Sequence, residues 1–175
     1  TQRIYFANHT SHLDTVLLWA ALPRRLREKT RPVAAADYWK PVAWRRYLAE
    51  RVFHSVFVER FGQDSAANKI APLLEALDGG DSLILFPEGK RGSGTELRPF
   101  KSGMFYLARH SPGIEFVPVW LDNCYQVLPK GEFLPLPLPC TATFGAPACI
   151  GAGEEKDAFL DRLRHSLLDL RNLPG

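Results

Sequence analysis

Residues 82–92 read SLILFPEGKRG, an apolar run that passes into a polar loop with glycines at positions 89 and 92. The run 82–86 stands before Pro87 and is typical of a short central strand. Glycine lets the backbone approach a ligand closely, and ligand sites in open α/β sheets gather at the carboxyl ends of strands. This stretch therefore predicts a buried strand whose end opens onto a binding loop.

Short apolar runs and segments with helical spacing alternate through the rest of the chain. Strands are predicted at residues 33–36, 55–59, 114–121 and 141–145, and helices at residues 12–22, 41–53, 65–78, 102–110 and 155–172. Ser11 and Asp64 are candidate N-caps, and Pro41 suits a first helical turn. Pro118 implies an edge or a bulge in its strand, and the proline-rich residues 132–140 are expected to be extended. The alternation favours an α/β fold with a mixed, largely parallel central sheet covered by helices.

Length and composition limit the class of protein. The 175 residues predict a single domain over 1–175, and 46% hydrophobic with 23% charged residues excludes disorder, collagen and coiled coil. No apolar run approaches the roughly 18 residues of a membrane-spanning helix, no signal peptide is visible, and a first residue of threonine suggests a missing start. Three cysteines without metal-ligand spacing indicate free thiols in a reducing compartment. We therefore expect a cytoplasmic location, which is compatible with the inner face of a membrane.

The net charge of +3 is unevenly distributed along the chain. Residues 1–60 carry 11 Lys and Arg against 5 Asp and Glu, whereas residues 61–175 carry 11 against 14. Five of the basic residues lie in segment 24–31, RRLREKTR, beside one glutamate. The asymmetry predicts a region that faces anions, with a solvated basic helix end as the alternative for segment 24–31.

A histidine and an aspartate flank the start of the first predicted helix, in the segment NHTSHLD at 8–14. His9 in the loop and Asp14 in the first turn are spaced to form a dyad, in which the carboxylate fixes the imidazole tautomer and leaves the other nitrogen as general base. The alternative is that Asp14 and Ser11 only cap the helix. A metal cluster of His9, His12 and Asp14 is disfavoured, because His12 and Asp14 are two residues apart and point to different sides. No metal is expected.

Charged side chains follow two of the predicted strands. Lys90 and Arg91 in the glycine-rich loop can hold a phosphate, and arginine can do so in a bidentate manner. Glu88 can accept hydrogen bonds from a hydroxyl-rich substrate, and Arg60 follows the strand predicted at 55–59. The alternatives are a solvated loop and a surface arginine.

Taken in order, these segments resemble the motifs of the glycerolipid acyltransferase family, which includes the lysophosphatidic acid acyltransferases. The family's His-x4-Asp motif is matched by His9 and Asp14, and its apolar strand ending in arginine by Arg60. Its Phe-Pro-Glu-Gly-Thr-Arg-Ser, Pro-Phe-Lys-x-Gly and Val-Pro-Val segments are matched by residues 86–92, 99–103 and 117–119.

The match covers residues 5–122 and departs from the family at two positions. Lys90 stands where the family has threonine, and Gly92 where it has serine. The first exchange removes a hydroxyl and adds a positive charge, which would suit a more anionic acceptor. Residues 123–175 match no motif of the family.

The resemblance implies transfer of a fatty acyl group from acyl-CoA or acyl-carrier protein to the hydroxyl of a lysophospholipid such as 1-acylglycerol 3-phosphate. His9 would be the general base, oriented by Asp14, and no covalent intermediate is expected because no cysteine lies in any motif. No cofactor or metal is implied, since the thioester is already activated. The implied substrate-binding residues are Arg60, Glu88, Gly89, Lys90, Arg91 and Lys101.

Partners outside the site follow from the charge distribution. Segment 24–31 suits an anionic bilayer or an acidic acyl carrier. A non-catalytic lipid- or membrane-binding module on the same fold is the alternative function, although binding alone needs neither the His9–Asp14 pair nor Glu88. A serine hydrolase of the α/β type is disfavoured because no G-x-S-x-G segment is present. Nucleic-acid binding is disfavoured because segment 24–31 lacks interleaved aromatic residues.

Overall fold

The computed structural model describes residues 1–11, 13–59, 66–92, 96–122 and 140–172. Within these ranges one sheet of six strands has the order β3-β2-β4-β1-β5-β6. The strands are β1 Arg3–Ala7, β2 Thr30–Ala35, β3 Val56–Val58, β4 Ser82–Leu85, β5 Glu115–Asp122 and β6 Thr141–Phe144. Strands β1 to β5 run parallel, and β6 is antiparallel to β5. The predicted mixed, largely parallel sheet is therefore confirmed, while the single domain over 1–175 stays a prediction.

Helices join the strands and cover both faces of the sheet. They are α1 Asp14–Ala21, α2 Arg24–Arg27, α3 Ala36–Trp39, α4 Ala43–Tyr47, α5 Ala66–Asp78, α6 Gly103–His110 and α7 Lys156–Arg171, and α4 continues as a π-helical turn over Leu48–Val52. In the part of the chain that the structure describes, none of the helices has the length and apolar character needed to span a bilayer.

Alternation along the strands sends side chains into two separate hydrophobic cores. Ile4 and Phe6 of β1 face α5, α6 and α7, whereas Tyr5 and Ala7 face α1. All four side chains are buried, and a fully buried large apolar side chain contributes about 1.5–3 kcal/mol. With both faces of the sheet covered, the loops that follow β1 and β4 meet at its carboxyl edge, where ligand sites form in such sheets.

The first predicted helix is confirmed, but its predicted N-cap is wrong. Helix α1 begins at Asp14 and its N-cap position is Leu13. The Ser11 hydroxyl accepts a hydrogen bond from the Leu13 N–H at 3.3 Å, ahead of the first turn of the helix. The reason is that the Asp14 side chain already accepts the backbone N–H groups of Thr10 and Ser11, which curls the loop ahead of the helix.

The helix predicted over 41–53 begins at Ala43, and Pro41 lies in the turn before it rather than in its first turn. Near its end the helix widens, because the Phe53 N–H donates to the Leu48 carbonyl five residues back at 3.0 Å. A prediction based on a 3.6-residue period does not anticipate this wider turn. The strand predicted at 33–36 starts earlier, at Thr30 in β2, and gives way to α3 at Ala36. The other predicted helices and strands correspond to α5, α6, α7, β3, β4, β5 and β6.

Pro118 lies in an interior strand, at a bulge rather than at an edge. Its carbonyl accepts a hydrogen bond from the Gly145 N–H at 2.9 Å, so the missing N–H of the proline also faces β6. At this point the pairing of β5 with the β6 side is irregular, because between two successive pairs the β6 side has one residue more than β5. The pairs that flank this extra residue are Val119–Phe144 and Phe116–Ala148. Residues 132–139, predicted to be extended, and Asp64, the predicted N-cap, lie outside the described ranges.

Candidate active site

The loop after β1 and the first turn of α1 form a hydrogen-bonded pair of His9 and Asp14. His9 Nδ1 lies 2.9 Å from Asp14 Oδ2. The same oxygen accepts the backbone N–H groups of Thr10 at 2.6 Å and Ser11 at 2.8 Å. The Asp14 side chain is fully buried, whereas 21% of the His9 side chain is exposed. The structure therefore brings together the two residues predicted to form the dyad.

These bonds determine which ring nitrogen of His9 carries the proton. Asp14 Oδ2 already accepts two N–H donors, so it is also the acceptor for His9 Nδ1, which is the donor in their bond. In the neutral imidazole, Nε2 then carries no proton and can accept one from a substrate hydroxyl. Phe86, directly after β4, stacks on the imidazole with ring centroids 4.3 Å apart and 22° between the planes. The imidazole is thus held by a carboxylate and by an aromatic ring.

His9 lines a recess of about 220 Å³, here called the polar recess. Phe86 and two aromatic residues of α3, Tyr38 and Trp39, form part of its wall. Arg91 also lines it and supplies a positive charge. A general base and an arginine in one recess suit an alcohol that carries a phosphate.

A larger recess of about 420 Å³, here called the apolar groove, adjoins the polar recess. Its wall includes apolar residues of α5 and α6, namely Ile70, Leu73, Met104 and Leu107. The two recesses share five lining residues, Val33, Val58, Leu85, Phe86 and Gly89. An apolar groove that opens beside a general base is suited to a hydrocarbon chain whose reactive end reaches that base.

The other residues predicted for the site lie around these recesses, with one outside the described residues. Gly89 lines both recesses and has a φ of 70°, which side chains rarely permit. Lys90 and Lys101 line the apolar groove, and Arg91 lines the polar recess. Arg60 falls in residues 60–65, outside the described ranges.

Asn8 and Glu88 hold the loop on either side of His9. The Asn8 side-chain amide donates to the Leu121 carbonyl at 2.9 Å, and its oxygen accepts the Leu121 N–H at 2.8 Å. Glu88 Oε1 accepts the His9 N–H at 2.9 Å, and Oε2 accepts the Arg98 N–H at 3.1 Å. Only 5% of Asn8 and 4% of Glu88 are exposed. Both oxygens of Glu88 are thus bonded to backbone and Glu88 lines neither recess, although the sequence pointed to contact with the acceptor.

A metal site was disfavoured on the sequence because of the spacing of His12 and Asp14. His12 lies outside the described residues. Among the residues that the structure does describe, no three His, Cys, Asp or Glu side chains are grouped so as to hold a metal ion.

Comparison with known proteins assigns the family. Residues 1–122 match the family model described as Acyltransferase. The chain belongs to the acyltransferase family. It is 28% identical over 146 residues to a 1-acyl-sn-glycerol-3-phosphate acyltransferase of Limnanthes alba. The matched segment covers 82% of this chain and 49% of that protein. An enzyme of the same name from Haemophilus influenzae is 27% identical over 128 residues, with 72% of this chain and 50% of that protein covered. The chain therefore spans about half the length of these curated relatives.

The fold is also similar to a solved structure. The crystal structure of the 1-acyl-sn-glycerophosphate (LPA) acyltransferase PlsC from Thermotoga maritima superposes with a TM-score of 0.73 at 20% identity. The similarity covers 99% of this chain and 68% of that one. The expected glycerolipid acyltransferase-like fold is thereby confirmed.

Four residues of the site were not singled out from the sequence. Tyr38 and Trp39 carry no local signal, because they reach the polar recess from a distant part of the fold. They lie on α3, which follows β2, and β4 lies between β2 and β1 in the sheet. Asn8 and Phe86 do carry a local signal in the sequence. A short amide directly before a loop histidine, and an aromatic residue directly after a buried strand, are positions from which a side chain can fix or support that histidine.

Proposed function

We propose that this chain is the catalytic domain of an O-acyltransferase that moves a fatty acyl group from a thioester to the hydroxyl of a lysophospholipid such as 1-acylglycerol 3-phosphate. His9 Nε2 takes the proton of the acceptor hydroxyl while the hydroxyl oxygen attacks the thioester carbonyl. As the ester C–O bond forms and the C–S bond breaks, His9 returns the proton to the thiolate. Asp14 keeps Nδ1 protonated and stabilises the positive charge that develops on the ring.

The observation that carries this proposal is the position of the His9–Asp14 pair where a recess with a cationic residue meets an apolar groove. A lysophospholipid and an acyl thioester together present a phosphate, a hydroxyl and hydrocarbon chains, which this arrangement complements. The names of the relatives in Limnanthes alba and Haemophilus influenzae support the same acceptor class. Neither Cys140 nor Cys149 lines the two recesses, which supports direct transfer over an acyl-cysteine intermediate.

Each substrate is proposed to bind by its own chemistry. The apolar part of the groove takes the acyl chain. Arg91, with Arg60 and with Lys101 beside the shared residue Gly89, binds the acceptor phosphate. Lys90 and Gly89 shape the loop at the mouth of the groove. The donor is acyl-CoA or acyl-carrier protein, and no further cofactor is needed because the thioester supplies the activated carbonyl.

An acyl-transfer assay over a matrix of thioester donors and lysolipid acceptors, with products identified by mass, tests the function. We expect transfer to phosphorylated lysolipids, with the preferred thioester identifying the donor class, and we expect no transfer by His9→Ala. Full activity of His9→Ala would refute the mechanism. Binding of lysolipid by the wild-type chain without turnover of any donor would instead support the non-catalytic module.

The acceptor assignment has a test of its own. Arg91→Ala should raise the KM for the phosphorylated acceptor by roughly tenfold or more, since a charged hydrogen bond contributes about 1.5–3 kcal/mol. Arg109→Ala is the control, because Arg109 lies over the Phe105 ring at 6.0 Å and lines neither recess. A change in the KM for the thioester alone would reassign Arg91 to the donor.

We also propose that residues 24–51, here called the basic surface, contact an anionic bilayer at the inner face of a membrane. This segment has nine Lys and Arg against three Asp and Glu. Two aromatic side chains of α4 project from it, with 61% of Trp44 and 62% of Tyr47 exposed. Exposed aromatic rings beside basic residues suit the boundary between headgroups and acyl chains, and each basic residue near such a surface adds about 1 kcal/mol.

Vesicle co-sedimentation tests the basic surface. Binding should rise with the fraction of anionic lipid, fall with salt, and weaken in a Trp44→Ser, Tyr47→Ser double variant. Phe144→Ser is the control, since Phe144 is 40% exposed on β6, away from the basic surface. Binding that ignores both lipid charge and salt would refute the proposal. Binding to acidic acyl-carrier protein in place of vesicles would assign the surface to that partner.

A further inference from the structure

The backbone on both sides of His9 is bonded by side chains rather than by strand pairing. The register of β1 ends with Phe6 opposite Leu85 of β4, and with Ala7 opposite Val119 of β5. Beyond these pairs the chain must leave the sheet so that His9 can meet Asp14 of α1. A loop that leaves a sheet normally loses the ladder bonds that hold it, so other bonds are needed to keep the histidine in place.

On the β5 side, the Asn8 amide takes over the pairing. It bonds to both backbone groups of Leu121, accepting from the N–H and donating to the carbonyl. This two-way bond occupies both backbone groups of Leu121, two residues beyond Val119, and so extends the contact between the β1 segment and β5 past their last paired residues. Only a side chain with a donor and an acceptor can make it, so aspartate, which has the same shape, cannot.

On the β4 side, the Glu88 carboxylate helps to hold the backbone of His9. It accepts the N–H groups of His9 and Arg98 on its two oxygens, and the His9 carbonyl accepts the Gly92 N–H at 2.7 Å. Both backbone groups of His9 are thus bonded to the segment that follows β4. Glutamine would direct its own N–H against one of the two backbone donors, so the site requires two acceptor oxygens.

We propose that Asn8 and Glu88 are positioning residues that clamp the His9 backbone between β5 and the loop after β4, and that Glu88 does not bind the acceptor. The inference rests on the proposed function of His9 as general base. The clamp, the Asp14 bond and the Phe86 stack together fix the imidazole, which lines the polar recess. Small errors in the position of a general base reduce the rate of the chemical step and leave substrate affinity unchanged.

Asn8→Asp and Glu88→Gln test the clamp, with Gln2→Ala as the matched control. The Gln2 amide bonds to the carbonyls of Leu77 and Asp81 at 2.6 Å each, just ahead of the opposite end of β1, so its loss also removes side-chain bonds to backbone but far from His9. We expect each clamp variant to lose about tenfold or more in kcat with an acceptor KM within about twofold of wild type. Gln2→Ala should lower the Tm and leave kcat within about twofold.

A second readout does not depend on turnover. The Nδ1 proton of His9, bonded to Asp14, gives an imidazole NMR resonance that His9→Ala identifies. It should shift or broaden in both clamp variants and stay unchanged in Gln2→Ala. Wild-type kcat in folded Asn8→Asp and Glu88→Gln would overturn the clamp. A raised acceptor KM with unchanged kcat in Glu88→Gln would return Glu88 to acceptor binding. If the wild-type chain turns over no donor while the resonance behaves as expected, the proposed function fails and the clamp stands.

Discussion

Replacing Asp14 with asparagine removes a negative charge from beside His9 and keeps the shape of the side chain. The asparagine oxygen can occupy the place of Oδ2 and still accept the N–H groups of Thr10 and Ser11. In the proposed mechanism, what disappears is the attraction between the carboxylate and the imidazolium that would form as His9 takes the proton. The Asp14→Asn variant therefore isolates the electrostatic part of the pair from its geometry.

The size of this attraction follows from the distance between the groups. With Nδ1 and Oδ2 2.9 Å apart, the charge centres are separated by about 4 Å, and two unit charges at that distance interact by about 4 kcal/mol near a protein surface. A transition state in which half of the charge has developed would lose about 2 kcal/mol. Because each 1.36 kcal/mol is tenfold in rate, kcat should fall by roughly 30-fold to 1,000-fold.

Release of free thiol from the donor in the presence of acceptor measures kcat directly. Asp78→Asn is the control, because Asp78 Oδ1 makes an equivalent bond to His110 Nε2 at 3.0 Å on the exposed surface. The variant also places an amide N–H at the buried Oδ1 position, which has no partner among the described residues, so a stability loss of about 1–3 kcal/mol is expected. A folded Asp14→Asn protein that keeps about a third or more of the wild-type kcat would refute the charge argument.

Three further substitutions test other parts of the structure. Gly145→Ala places a Cβ 2.8 Å from Pro118 Cγ, so urea unfolding should show a loss of about 1–3 kcal/mol, and an unchanged midpoint would contradict the close packing. Leu73→Phe narrows the apolar groove and should shift preference to shorter acyl donors, whereas Leu73→Met keeps the volume and should not. The hydrogen bond from Arg162 lowers the pKa of Glu154 below its ordinary 4.5. The stabilisation this gives is therefore present above pH 4.5 and lost as pH falls through the lowered pKa. The Tm of Glu154→Gln should lie slightly below that of the wild type at neutral pH, since such a pair contributes about 0–1 kcal/mol. The two Tm values should be equal in strong acid, and a difference that persists in acid would contradict the assignment.

Five of the six described strands were predictable because they contain short apolar runs that end in polar or glycine-rich loops, as in 82–92, whereas β1 over Arg3–Ala7 was not predicted. The dyad was predictable for a similar reason, since the bond between His9 and Asp14 closes within one loop. Asn8 has a local signal in its position before His9, but its bond to Leu121 could not be predicted, because the two residues are 113 positions apart in the chain. The role expected for Glu88 followed from its carboxylate and from the resemblance, and neither shows that its two oxygens already accept backbone N–H groups.

We expect the wall that the polar recess and the apolar groove have in common to link the binding of the two proposed substrates. Phe86 stacks on His9 from one side of that wall, and Gly89 forms part of both linings. A hydrocarbon chain that shifts Phe86 from the groove side would also move the surface against which the acceptor rests. We therefore expect donor and acceptor affinities to be coupled, and thermodynamic linkage requires each ligand to change the affinity of the other by the same factor.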